Sequence, residues 1–126
     1  MDDTDFHAEQ MAQFTALAER IASMSTQPGG EPLASVAETL QQLSAEPGRI
    51  MDEAPALLAR LLTTAPQVAE YVPRDLLWYL GGDCLHYMPD EEIESYTQLD
   101  EQRRDAIDRG EVFNWREKRA QLLGLQ

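Results

Sequence analysis

Residues 81–92 read Gly-Gly-Asp-Cys-Leu-His-Tyr-Met-Pro-Asp-Glu-Glu, and within ten of them stand a thiol, an imidazole and four carboxylates. Two kinds of chemistry use such a set. Cys84 and His86 can approach a metal from a loop, with Asp83 or Asp90 adding an oxygen ligand. Cys84 beside His86 is also the pairing that a thiolate nucleophile needs. Neither set is complete. The chain has one cysteine and two histidines, His7 and His86, so no second cysteine or histidine pair closes a structural zinc set. The preferred reading gives Cys84 and Leu85 to the core and leaves His86 partly exposed in a loop. Asp90, Glu91 and Glu92 then form the acidic first turn of the next helix, where the positive end of the helix dipole favours them.

A second chemistry uses carboxylates alone. Asp90, Glu91 and Glu94 share a helical spacing, and Asp100, Glu101 and Asp105 make a second group. In all-α nucleoside-triphosphate pyrophosphatases, acidic pairs on facing helices hold Mg²⁺. Here both groups fall on one continuous helix, and the acidic motif on a separate helix is missing. A solvated acidic face is expected instead. Gly29-Gly30 and Gly81-Gly82 lack the lysine or the flanking strand of a phosphate loop, so they read as turn and cap residues. No nucleophile-elbow signature surrounds any serine.

Charge narrows the partners. The net charge is −13 and the pI is near 4.3, a field that repels nucleic-acid phosphate and anionic lipid. Direct nucleic-acid binding is therefore not expected. Six of the ten basic residues (Arg103, Arg104, Arg109, Arg116, Lys118 and Arg119) follow position 102, so the tail is less acidic than the body. The longest apolar runs are about five residues, against the ~20 a bilayer span requires, so no membrane association is expected. The start, Met1-Asp2-Asp3-Thr4-Asp5, is acidic where a secretory signal would be basic. With a single cysteine, these features predict a cytoplasmic, reducing location.

The elements that must position these residues are all helical. Leucine, alanine, glutamate, glutamine and arginine are abundant, and β-branched residues are sparse. Met11, Phe14, Leu17, Ile21 and Met24 recur at three- and four-residue steps, predicting a helix over 6–24 capped by Thr4 or Asp5. Residues 25–32 hold two prolines and two glycines and read as a flexible loop, which leaves the N-terminal helix free to attach loosely. Leu33, Val36, Leu40 and Leu43 mark a second helix that Glu46-Pro47-Gly48-Arg49 ends. Met51, Ala54, Leu57, Leu58, Leu61 and Leu62 mark a third, with Pro55 in its first turn. A short helix or turn over 66–72 precedes one from Pro73 to Leu80, which Gly81 stops. Pro89 opens a long helix that Gly110 ends, and Asn114 with Glu117 has the spacing of a capping box for a last helix to Leu123.

The expectation is one all-α domain over 1–126, an irregular bundle of five to seven helices. Its expected core is Phe14, Leu17, Ile21, Leu40, Leu57, Leu58, Leu61, Leu62, Leu77, Trp78, Leu80, Ile93 and Leu99. The expected role is a non-catalytic interaction, regulatory or assembly module without a cofactor, whose partner is another protein or a second copy. Its surface is placed on the loop 81–89 and the following turns, with His86, Tyr87, Met88, Glu92, Tyr96 and Trp115 as contacts, because aromatics concentrate there and loops carry recognition. The alternatives are a Mg²⁺-dependent nucleotide phosphohydrolase of all-α type and an acidic mimic of nucleic acid.

Overall fold

The computed structural model describes residues 2–123. Among them are six α-helices and no strand: α1 (Asp3–Ser25), α2 (Ala34–Ser44), α3 (Pro47–Thr64), α4 (Arg74–Leu80), α5 (Asp90–Asp108) and α6 (Trp115–Leu123). Short 3-10 helices cover Glu31–Leu33, Pro66–Tyr71 and Gly82–Tyr87. The all-α class is thus the observed one. The chain divides into two compact units, one running from Gln10 to Tyr87, the other drawn from the two ends of the chain, up to Glu9 and from Met88 onward.

In the Gln10–Tyr87 unit, Phe14, Leu17 and Ile21 bury the expected stripe of α1, while Met11 and Met24 are half-buried. Val36, Leu40 and Leu43 of α2 and Ile50, Ala54, Leu58, Leu61 and Leu62 of α3 are buried as well. α2 and α3 form a helical hairpin with only Ala45 and Glu46 between them. Pro47 begins α3 rather than ending its predecessor, because a proline costs least where the N–H would be unpaired anyway. Pro55 consequently lies well inside α3, not in its first turn. The 3-10 turn over Gly82–Tyr87 packs on this part of α3. Cys84 Sγ donates to the Pro55 carbonyl at 3.5 Å, and a Cβ at Gly82, whose φ is +55°, would stand 3.3 Å from the Pro55 ring. Residues 25–32 carry defined turns: the Gly30 N–H donates to Gln27 O at 2.9 Å, and a Cβ on Gly30 would fall 2.0 Å from Met24 O.

In the unit formed by the chain ends, the buried side chains are Phe6, Met88, Tyr96, Leu99, Ala106, Phe113 and Trp115, joined by Arg103. The Phe6 and Trp115 rings lie 4.5 Å apart and tilted, and Tyr96 stacks on Trp115 at 6.4 Å. Asp2, not Thr4 or Asp5, caps α1: its Oδ1 accepts from the Asp5 N–H at 2.8 Å. The Glu117 N–H donates to Asn114 Oδ1 at 3.0 Å, the capping contact that the spacing of this pair predicts. Three members of the expected core, Leu57, Trp78 and Ile93, are only partly buried. Periodicity locates a stripe but not its edges, and Leu57 sits at the edge of the α3 stripe, one position from Leu58.

Candidate functional site

The chemically loaded segment resolves into separate fates. Cys84 is fully buried, and burial, then the nearby Asp83 carboxylate, push its pKa up to about 11. Burial thus favours the thiol over the thiolate that a nucleophile needs. Asp83 and His86 are exposed on the 3-10 turn, and Asp90, Glu91 and Glu94 are exposed on α5. Among the described residues no group of three or more His, Cys, Asp and Glu is placed to hold a metal ion. The second acidic group separates too: Asp100 is largely buried against Arg103, whereas Glu101 and Asp105 face solvent.

The expected partner contacts need correction at three positions. Met88, Tyr96 and Trp115 are 5%, 1% and 2% exposed, so they hold the core together and present nothing to a partner. Aromatics are as well suited to filling a core as to anchoring an interface, and a single sequence does not separate the two. Tyr87 keeps a partly exposed ring, but its hydroxyl donates to Ala59 O at 3.0 Å and is also hydrogen-bonded to Thr63. Arg74 Nη2 in turn donates to the Tyr87 carbonyl at 3.0 Å. Glu92 is half-buried, and His86 is exposed. The turn is therefore tied to α3 and α4 by its own polar atoms.

Two polar arrangements were not legible in the sequence. In the unit of the chain ends, the Arg103 guanidinium is 2% exposed, lies 4.6 Å over the Phe6 ring and bonds Asp100 Oδ1 at 3.0 and 2.9 Å and Asp3 Oδ1 at 2.8 Å. Burial opposes its charge, but the two carboxylates more than offset this and raise its pKa. In the other unit, Asp75 is fully buried, and its Oδ2 accepts from Gln10 Nε2 and Gln13 Nε2, each at 3.3 Å. Residues separated by more than sixty positions make this cluster, and no local pattern announces it.

The best-formed open site lies on the α2–α3 hairpin. A groove of about 340 Å³ runs between Thr39, Gln42, Leu43 and Glu46 of α2 and its turn and Arg49, Glu53, Ala56, Leu57 and Arg60 of α3. On each helix these positions recur at three- and four-residue steps, so each set forms one face. Leu43, Ala56 and Leu57 make an apolar floor. At the hairpin turn, Arg49 is clamped by Glu46 and Glu53, with Arg49 Nη2 at 2.9 Å from Glu53 Oε1. The Arg49 guanidinium holds the Glu53 carboxyl below its usual pKa. At the other end stands Arg60, exposed, which pairs with no carboxylate among the described residues. A larger open cleft of about 610 Å³ beside α1 includes Tyr71, but Arg20 already covers that ring at 4.2 Å. A third hollow, of about 480 Å³, is bordered by Glu9, Val112 and Arg116, where Arg116 pairs with Glu9 at 3.5 Å.

No helix among the described residues is long and apolar enough to cross a membrane. No curated protein and no solved structure matches the chain. One family model, described as PA2817-like, matches residues 3–126. With nearly the whole chain covered, this all-α protein belongs to the PA2817-like family.

Proposed function

We propose that this chain is a non-catalytic protein-interaction module of the cytoplasm, and that its binding surface is the groove of the α2–α3 hairpin. The observation that carries the reading is the pairing, in one groove, of an apolar floor with an arginine that has no carboxylate partner among the described residues. Most of the chemically distinctive residues elsewhere are engaged: the thiol is buried, the aromatics fill a core, and Arg103 is held by two carboxylates. An apolar strip flanked by charge is the pattern of a recognition groove, where floor burial supplies affinity and rim charges supply register. The buried lone thiol suits a reducing compartment.

Site-specific photocrosslinking in the native cell tests this directly. A photoreactive residue at Gln42, on the groove, should give a discrete crosslinked protein band. The same residue at His86 should give much less. Strong crosslinking at position 86 with none at 42 would return the surface to the 82–87 turn.

A further inference from the structure

The two ends of the groove differ in charge. Near the hairpin turn, Glu46 and Glu53 share the single guanidinium of Arg49, which leaves that end net negative. The far end carries Arg60, which pairs with no carboxylate among the described residues. Eleven positions separate Arg49 from Arg60 on α3, about 16 Å at the helical rise, or about three turns. The groove is thus an elongated slot with a polarity.

An extended peptide does not suit it. Both walls are helices whose backbone groups are bonded internally, and no strand edge is offered among the described residues. An extended backbone laid on the Leu43–Ala56–Leu57 floor would lose water and gain no ladder. A helix satisfies its own backbone and presents an apolar stripe that can lie along the floor. The field of the molecule selects its charge. Nine acidic and four basic residues lie in 10–87, so a cationic segment is attracted and an anionic one repelled. The dipole sets the direction, because a helix N-terminus is favoured beside carboxylates and its C-terminus beside a guanidinium.

We propose that the groove takes a net-basic amphipathic helix of another protein, about three turns long, with its N-terminus at Glu46 and Glu53 and its C-terminus at Arg60. This rests on the reading of the groove as the binding surface, and the experiment separates the two. The probe is a pair of fluorescein-labelled, helix-stapled synthetic peptides with the same leucine stripe and the same net positive charge. One has lysines in its first two turns and a glutamate in its last; the other reverses that order. Anisotropy with the full chain should show saturable binding of the first, about tenfold tighter than the second. Arg60→Glu should abolish that preference, and Leu57→Lys should remove binding of both.

Equal affinities, unchanged by Arg60→Glu but lost in Leu57→Lys, would overturn the stated direction and leave the groove as the site. Binding that survives Leu57→Lys, or no binding of the first peptide, would overturn the proposal altogether. Arg60 is exposed, so its replacement keeps the test sound if Leu57→Lys fails to fold. Sedimentation of the chain alone gives the remaining outcome: a dimer dissolved by Arg60→Glu would make the occupant a second copy and overturn the heterologous helix.

Discussion

The aromatic cluster of the chain ends and the groove of the α2–α3 hairpin invert what residue types suggest. Phe6, Tyr96 and Trp115 are of a type enriched at interfaces, yet here both Phe6 and Tyr96 pack on Trp115 and all three are buried, with Arg103 over the Phe6 ring. The groove is made of leucine, alanine, threonine, glutamine and paired charges, types that attract no notice in a sequence. It remains accessible, and one of its cations, Arg60, has no carboxylate partner among the described residues. The difference teaches that residue type alone does not say which side chains a fold buries and which it leaves at the surface.

Substitutions can break that contrast. The largest effect is expected at Trp115, where Trp115→Ala should cost ~3–5 kcal/mol by urea unfolding. A loss below ~0.5 kcal/mol would mean that the ring is not packed and that the cluster is available to a partner. In the other unit, Leu61→Ala should cost ~2–5 kcal/mol, since that side chain is fully buried. Asp100→Ala should cost about 1–3 kcal/mol, because it strips the buried Arg103 of one carboxylate. Arg103→Met should cost a comparable amount, because the exposed Asp3 returns to water but the largely buried Asp100 keeps only Arg104 as a partner among the described residues.

A smaller effect concerns acid. The Arg103 guanidinium, first through its hydrogen bond and then through its charge, holds the Asp3 carboxyl below its ordinary value of 3.8. A carboxyl with a lowered folded-state pKa lends its stability in full above the ordinary value. That stability drains away as pH falls through the lowered one. Asp3→Asn should therefore reduce the melting temperature at pH 7 slightly and converge with the wild type at the acid end of the transition. An unchanged difference at every pH would remove the ion pair from the account. The smallest effect on stability is expected at the groove: Arg60→Glu should alter unfolding by less than ~0.5 kcal/mol, as befits an exposed group.

How far the sequence reveals this molecule depends on the range of the interactions. Local rules locate most of the helices. The stripe Leu33, Val36, Leu40, Leu43 is buried as its spacing predicts, Gly81 and Gly110 stop their helices at φ of +67° and +72°, and Asn114 caps α6. Pro47 and Pro55 were misplaced because a proline permits both an end and a beginning, and only the packing of α3 against α2 and the 82–87 turn decides between them. Three of the expected contacts, Met88, Tyr96 and Trp115, are buried for a different reason. Trp115 packs on Phe6, more than a hundred positions away, a contact that no local spacing announces. The groove was legible only as two separate stripes, since its existence needs the hairpin to set two polar–apolar edges side by side. The buried Asp75 with Gln10 and Gln13 left no local trace at all.

The most direct measurement is affinity capture from the native cell with three tagged baits (wild type, Leu57→Lys and His86→Ala), quantified by mass spectrometry at matched amounts of folded protein. Proteins enriched by the wild type should be retained by His86→Ala and lost from Leu57→Lys. Retention of the same proteins by Leu57→Lys would contradict the groove as the binding surface.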